Sequence, residues 1–218
     1  QQRAQAPEDP TGLKDAYSDY FMIGVAVNQR NISDPEQIAL IKKEFNSITA
    51  ENDMKPQPTE PEYGVFNWEN ADRIANFCRQ NGIRLRGHNL MWHSQIGRWM
   101  YMDENGNLLP KEKFYANMKH HIDAIVSRYK DVVYAWDVVN EIVSEEGGYR
   151  SDKGWEKYYR GDKDELVALA FSTAQRCDPN AELYYNDYNM WRQTKVDGVV
   201  HLVKMLKERG EINIKNLE

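Results

Sequence analysis

The 218-residue sequence predicts an α/β fold in which a parallel β-sheet is wrapped by α-helices. Three observations support this prediction. Short apolar segments alternate with helical patterns from Phe21 onward, they recur roughly every 40 residues, and polar side chains close four of the five apolar segments. A hydrophobic content of 41% fits one globular domain with a sizeable core.

The five apolar segments are predicted to be strands that are buried on both faces, as is usual in parallel sheets. They comprise residues 21–27, 47–52, 83–89, 132–141 and 181–187.

Five helices are predicted between and after these strands, because apolar residues recur there at spacings of three and four. The five apolar stripes are Ile38, Ile41 and Phe45; Ala71, Ile74, Ala75 and Cys78; Phe114, Met118, Ile122, Ile125 and Tyr129; Leu166, Ala170, Phe171 and Ala174; and Val196, Val199, Val203 and Leu206. The first helix has a start signal, with Asp34 as N-cap, Pro35 in the first turn and Gln37 three residues after the cap. Gly82 and Gly210 end the second and fifth helices.

The charge balance and the apolar runs exclude some classes of partner. There are 28 Lys and Arg against 34 Asp and Glu, a net charge of −6, which argues against nucleic acid and anionic membranes. No apolar run approaches the roughly 20 residues of a membrane span. The polar residues 1–12 are predicted to be a flexible lead-in. Cys78 and Cys177 are expected to be buried free thiols, with a disulfide as the less favoured alternative.

Five strand–helix units are too few for a closed eight-unit barrel, which at this spacing needs more than about 300 residues. An open doubly wound sheet is the other possibility. That fold usually carries a glycine-rich phosphate loop after its first strand, and here the strand is followed by NQRNISD. Dinucleotide binding is therefore disfavoured.

Polar side chains occupy the predicted C-terminal ends of four strands. They are Glu51 and Asn52, His88 and Asn89, Asn140 and Glu141, and Asn186 and Asp187. Active sites of parallel α/β folds are built at this edge, because the strand ends converge there on a rigid scaffold. Ordinary turn residues are the alternative reading of each pair.

Glu141 is the strongest catalytic candidate. It closes an almost wholly apolar strand, where partial desolvation favours the neutral carboxyl and suits a general acid. The amide of Asn140 can hydrogen-bond a sugar hydroxyl, and Trp92 is expected beside the same pocket. Asp137 is interpreted as a buried carboxylate that neighbouring donors satisfy.

At these residues the sequence resembles glycoside hydrolase family 10, the endo-β-1,4-xylanases, from about Leu13 to Gly210. The motifs are FNSITAENDMKP, RGHNLMWHSQ, VYAWDVVNE and LYYNDYN, in the family's order and spacing. The resemblance implies a (β/α)8 TIM barrel that cleaves xylan with retention of configuration, without a cofactor. Residues 13–218 would be the N-terminal part of such a catalytic domain, an incomplete barrel of about five β/α units.

The resemblance also implies roles for individual residues. Glu141 would be the general acid/base and Asn140 its substrate-gripping neighbour. The remaining predicted sugar contacts are Glu51, Asn52 and Lys55 on the non-reducing side of the cut, His88 and Trp92 next to it, and Tyr188 beyond it.

The retaining reaction needs two carboxyls roughly 5 to 5.5 Å apart. The family's nucleophilic glutamate belongs to its seventh strand, which this sequence does not reach, so the chain alone is expected to be inactive unless complemented. A second fragment, a swapped copy of the chain or the rest of a longer protein would supply the missing part. Glu218 is not expected to replace the missing nucleophile. Glu145 and Glu146 are expected to be solvated loop charges.

Two other functions compete with this interpretation. The first is a non-catalytic xylan-binding half-barrel that uses the same cleft residues. The second is a metal hydrolase with His88, His93, Asp137 and Glu141 as ligands, although their spacing lacks a recognised metal signature. Xylan and xylo-oligosaccharides are the expected partners, and an extracellular polymer as substrate implies secretion or attachment at the cell surface.

Overall fold

The computed structural model describes residues 11–210. Five parallel strands form one sheet in which each strand pairs with the next along the chain. They are β1 (Gly24–Val27), β2 (Ser47–Ala50), β3 (Arg84–Met91), β4 (Val133–Asn140) and β5 (Glu182–Asn186). The predicted strand segments are therefore confirmed, with β1 beginning three residues later than expected.

Helices follow the strands as predicted. The bounds are α1 (Leu13–Ala16), α2 (Pro35–Glu44), α3 (Pro56–Thr59), α4 (Glu69–Asn81), α5 (Lys111–Arg128), α6 (Lys163–Cys177) and α7 (Gln193–Arg209), with 3₁₀ turns at Arg98–Met100 and Gly154–Lys157. The five long helices match the five apolar stripes. The sequence analysis did not predict α1, α3 or the two 3₁₀ turns.

The predicted helix ends are confirmed. The Asp34 carboxylate accepts hydrogen bonds from the backbone N–H groups of Glu36 (2.9 Å) and Gln37 (3.3 Å), which would otherwise lack partners in the first turn of α2. Gly82 and Gly210 both have φ of +63°, the left-handed conformation that a helix end requires and glycine adopts freely.

The core lies between the sheet and the long helices. Ile74 and Cys78 of α4, and Ile122 and Ile125 of α5, are completely buried there. β3 and β4 approach closely at Gly87, since a Cβ atom at this position would lie 2.2 Å from the ring of buried Trp136. Glycine at position 87 thus makes room for the indole.

Burial on both faces was predicted for every strand and is wrong for the two outer ones. Gly24 and Ala26 of β1 and Glu182 of β5 are exposed, and the rest of β5 is only half-buried. β1 and β5 each pair on one side only within residues 11–210. Their surfaces therefore lack the cover that β3 and β4 receive from neighbours on both sides.

The buried face of α7 also differs from its predicted stripe. Val196, Val199 and Val203 are half-buried, whereas Lys195 and Leu202 are completely buried. The buried face of α7 is therefore shifted by about one residue, and it includes Lys195, which forms a buried ion pair with Asp187.

Three smaller predictions concern the cysteines, membrane-spanning helices and the two ends of the chain. Both cysteines are free thiols; Cys78 is fully buried and Cys177 half-buried, with its thiol 3.2 Å from Asp123 Oδ1. None of the helices between residues 11 and 210 has the length and apolarity to cross a bilayer. Residues 1–10 of the predicted lead-in, and Glu218, lie outside the described residues.

Candidate active site

Glu141 directly follows β4, and its backbone is unusual for a residue with a side chain. Its φ is +56°, and its N–H donates to the carbonyl oxygen of Asn186 at 2.9 Å. Left-handed backbone at a non-glycine residue is uncommon and occurs preferentially at functional sites. The side chain is 22% exposed, and its Oε2 accepts a hydrogen bond of 2.9 Å from Nε1 of Trp92.

Lys55 contacts both Trp92 and Asn52, a polar residue that follows β2. Its ammonium group lies 4.7 Å from the centroid of the Trp92 ring and donates to Asn52 Oδ1 at 2.8 Å. Burial lowers the pKa of Lys55, while the charges of Glu141 and Glu51 oppose that change. The charges of Glu141 and Glu51 therefore both act on the ammonium group of Lys55.

Two amides flank this cleft beside Glu51 and Asn52. Asn28 donates to Glu51 Oε2 at 3.2 Å, and Gln95 lies with its Nε2 3.5 Å from Asn52 Oδ1. Gln95 also has a left-handed backbone, with φ of +47°. Gln95 belongs to the RGHNLMWHSQ motif but was not predicted to be a site residue, because it lies four residues beyond the end of β3.

His88 is oriented by Asp137. The Asp137 carboxylate is almost completely buried, and it pairs with His88 Nδ1 at 2.8 Å and with the Arg86 guanidinium. The interpretation of Asp137 as a satisfied structural carboxylate is confirmed. His88 and Asp137 line a cavity of about 410 Å³ together with Glu51, Arg86 and Asn186.

Asn140 is buried beside Glu141. Its Oδ1 accepts a 2.9 Å hydrogen bond from Asn186 Nδ2, which fixes the orientation of the amide. No group among residues 11–210 accepts from its own Nδ2. The amide therefore retains a donor that the described protein does not use.

Arg150 connects Glu141 with Tyr188. Its Nε donates to the carbonyl oxygen of Glu141, and its Nη2 donates to the Tyr188 hydroxyl, both at 2.9 Å. Arg150 was not predicted from the sequence, since it lies in a long loop nine positions after Glu141 and no strand-end pattern marks it. Tyr188 is 40% exposed, so part of its ring remains available to a ligand.

A buried ion pair lies beneath Tyr188. Lys195 is completely buried, with its Nζ 2.6 Å from Asp187 Oδ1 and 4.4 Å from the centroid of the Tyr188 ring. Asp187 also accepts from the Tyr188 N–H at 2.8 Å and from the Tyr185 hydroxyl. The ion pair therefore supports the ring from inside the protein.

Glu145 was expected to be a solvated loop charge, and this expectation is wrong. Its Oε1 accepts from Asn189 Nδ2 at 3.2 Å, and its backbone carbonyl accepts from the Thr194 hydroxyl at 2.7 Å. These bonds attach the loop after β4 to the segment after β5, because both loops turn over the same sheet edge. Glu146 is exposed, as predicted.

His93 stands between Glu141 and a second, buried glutamate. Its Nε2 is 4.0 Å from Glu141 Oε2, and its Nδ1 is 3.7 Å from Glu156 Oε2. Burial lowers the pKa of His93 to about 4 and raises the pKa of Glu156 to about 9. No pattern in the sequence indicated Glu156, which sits in a 3₁₀ turn.

The four residues of the metal hypothesis divide into two pairs, His88 with Asp137 and His93 with Glu141. The Asp137 carboxylate is already engaged by Arg86 and His88. Across residues 11–210 there is no cluster of three or more histidine, cysteine or acidic side chains with metal-binding geometry.

Comparison with known proteins adds an independent line of support. The family model for glycosyl hydrolase family 10 matches residues 12–214. The chain is 48% identical over 213 residues to an endo-1,4-beta-xylanase/feruloyl esterase of Xylanibacter ruminicola, covering 91% of this chain and 29% of that protein. It is 43% identical to endo-1,4-beta-xylanase A of Thermotoga maritima, covering 92% of this chain and 19% of that protein.

Among solved structures, the chain is similar to a psychrophilic glycoside hydrolase family 10 endo-beta-1,4-xylanase. The TM-score is 0.86 at 59% identity, and the match covers 93% of this chain and 63% of that one. The chain thus spans less than two thirds of these relatives. The (β/α)8 barrel fold class is confirmed, and the five parallel strands form an incomplete barrel.

Proposed function

The chain belongs to glycosyl hydrolase family 10, and from this membership we propose that it takes part in endo-acting hydrolysis of β-1,4-xylosidic bonds in xylan with retention of configuration. The observation that carries the proposal is the carboxyl of Glu141. It lies at the end of β4, half-buried, within hydrogen-bonding distance of Trp92 and in the same cleft as Lys55. Named relatives that are endo-1,4-beta-xylanases support the reaction class.

In the proposed reaction Glu141 protonates the departing xylosyl oxygen and later deprotonates the attacking water. The hydrogen bond from Trp92 Nε1 keeps its carboxyl aimed into the cleft. Asn140, with its unused donor, would hold a hydroxyl of the sugar next to the scissile bond.

The sugars on either side of the bond would contact different walls of the cleft. Glu51, Asn52 and Lys55 would bind on the non-reducing side, where carboxylate, amide and ammonium groups can each hydrogen-bond hydroxyls. Tyr188, held by Arg150, would stack on a sugar of the leaving group. His88 and Trp92 would line the position between them.

The second carboxyl of a retaining enzyme attacks the anomeric carbon and forms a glycosyl-enzyme intermediate. We propose that it comes from a barrel strand that lies outside this 218-residue chain. The rest of a longer protein or a complementary fragment would place it opposite Glu141. The 63% coverage of the related solved structure supports this part of the proposal.

The test combines hydrolysis with binding. Hydrolysis of xylo-oligosaccharides is measured for the chain alone and for the chain joined to the remaining strands of a family 10 barrel. We expect Glu141→Gln to lower turnover by about 10²- to 10⁴-fold, while exposed Glu146→Gln in the same loop leaves turnover unchanged. Full activity of Glu141→Gln would refute the catalytic assignment.

Calorimetric titration with the same oligosaccharides separates the alternative function. Binding without turnover in the joined protein would favour a non-catalytic xylan-binding module. We also propose that the protein acts outside the cell or at its surface, because polymeric xylan does not enter cells. Fractionation of the native host with an antibody to the chain tests this location.

A further inference from the structure

Glu156 is a buried carboxyl that the proposed reaction does not use. It is completely buried in the 3₁₀ turn Gly154–Lys157, and neither of its oxygens has a hydrogen-bond partner within residues 11–210. The neighbouring Trp155 donates through Nε1 to the Trp92 carbonyl oxygen at 3.1 Å, so the turn packs directly behind the active site. A carboxyl in this position requires a partner or a proton.

The imidazole of His93 lies close to the carboxyl of Glu156. His93 Nδ1 lies 3.7 Å from Glu156 Oε2, and Nδ1 itself is buried without a hydrogen-bond partner in the described chain. On the opposite edge of the ring, Nε2 lies 4.0 Å from Glu141 Oε2. Each of these two distances exceeds hydrogen-bond range by less than about 1 Å.

We propose that Glu156, as a neutral carboxylic acid, donates a hydrogen bond to Nδ1 of His93 and so fixes the tautomer that presents Nε2–H to Glu141. This makes Glu156 a positioning residue that acts through His93. The assignment of Glu141 as acid/base rests on the proposed function, whereas the tautomer of His93 does not.

The alternative protonation state gives the opposite geometry. If Glu156 were ionised, it could only accept, so Nδ1 would carry the proton and Nε2 would turn a lone pair toward Glu141. A lone pair there suits only a protonated Glu141. With Nε2–H instead, Glu141 gains a second donor beside Trp92 Nε1 once it has released its proton.

The surroundings favour the neutral acid. Burial is the dominant influence on Glu156 and raises its pKa to about 9, although the positive charges of Lys163, Arg150 and Lys153 oppose this and Asp152 reinforces it. Lys163 donates to the Arg150 carbonyl rather than to Glu156. Burial likewise lowers the pKa of His93 to about 4; Arg150 and Lys153 act in the same direction, and Asp152 and Asp187 oppose them.

The tautomer can be read directly by nitrogen NMR on the chain labelled with ¹⁵N-histidine. The sequence contains five histidines, and the signal lost in His93→Gln identifies His93. We expect a protonated Nε2 and an unprotonated Nδ1 between about pH 5 and pH 8. A proton on Nδ1 at neutral pH, whether as the other tautomer or as imidazolium, would overturn the proposal.

Variants test whether Glu156 is the cause. Glu156→Gln should keep the wild-type tautomer, since its amide N–H can donate to Nδ1, whereas Glu156→Leu should shift His93 to a mixture of tautomers. Asp152→Asn is the matched control, because it removes a nearby charge without removing the donor. An unchanged tautomer in Glu156→Leu would refute the role of Glu156.

If Glu156→Leu does not fold, the wild-type signal and Glu156→Gln decide the question. No turnover is measured in any of these experiments. A failure of the xylanase proposal therefore leaves them interpretable, and an unexpected tautomer leaves the xylanase proposal standing.

Discussion

The buried ion pair beneath Tyr188 allows a quantitative test of the fold around the site. Lys195→Met preserves the length and most of the volume of the side chain but removes its charge. Asp187, whose side chain is 1% exposed, then loses the ammonium 2.6 Å from its Oδ1. Removing one member of a buried pair costs about 3–5 kcal/mol, because the remaining charge is left uncompensated.

The lower end of that range applies to this pair. Asp187 keeps two donors after the substitution, the hydroxyl of Tyr185 and the N–H of Tyr188. We therefore expect Lys195→Met to lower the free energy of unfolding by about 3 kcal/mol. Urea denaturation followed by tryptophan fluorescence measures this, with an unchanged m-value as the sign of an unaltered unfolding transition.

Two further variants make the measurement specific. Lys204→Met, at an exposed position of the same helix, should change the free energy of unfolding by less than about 0.5 kcal/mol. Asp187→Asn combined with Lys195→Met should recover a large part of the loss, since both charges of the pair are then removed. A loss below about 1 kcal/mol in Lys195→Met, or a double variant less stable than the single one, would refute the account of this pair.

Three other predictions concern stability. The free energy of unfolding of Glu156→Gln, relative to that of the wild type, should rise by about 1.4 kcal/mol per pH unit. Between pH 5 and pH 8 the difference should therefore grow by up to about 4 kcal/mol. The reason is that Glu156 in the folded protein, with its pKa raised to about 9, keeps a proton that the unfolded chain releases. Parallel curves of stability against pH for the wild type and Glu156→Gln would contradict this prediction. Gly87→Ala should lower the free energy of unfolding by about 1–3 kcal/mol, because its Cβ would lie 2.2 Å from the Trp136 ring. If the variant unfolded at the same temperature as the wild type, β3 and β4 would have to move apart at no cost, which would contradict this prediction. Asp34→Ala should lower the free energy of unfolding by about 1 kcal/mol, because two N–H groups of α2 lose their acceptor. Asp34→Ser should restore most of that free energy.

The order of the elements could be predicted from the sequence because it depends on local patterns. Asp34 with Pro35 marks the start of α2, and Gly82 marks the end of α4, through interactions within a few residues. The convergence of polar strand ends was also predictable, since parallel strands present their carboxyl ends at one edge. The charges of Glu51 and Glu141 accordingly both influence Lys55.

The missed features depend on partners distant in sequence. Lys195 looks like an exposed position of an amphipathic helix until Asp187 is placed next to it. His121 is fully buried and pairs with Glu60 at 2.8 Å, across 61 positions of sequence. Arg150 and Glu156 lie in a long loop and a 3₁₀ turn, where no periodicity reports which way a side chain points.

The double attachment of Arg150 has a consequence for how the two halves of the cleft communicate. One guanidinium donates to the main-chain carbonyl of Glu141, the proposed proton donor, and to the phenol of Tyr188, which would carry the leaving sugar. A tilt of that phenol that moves the guanidinium would also shift the peptide from which Glu141 projects. Occupancy of the ring and the aim of the acid are then thermodynamically linked, and by reciprocity a change in either one alters the other.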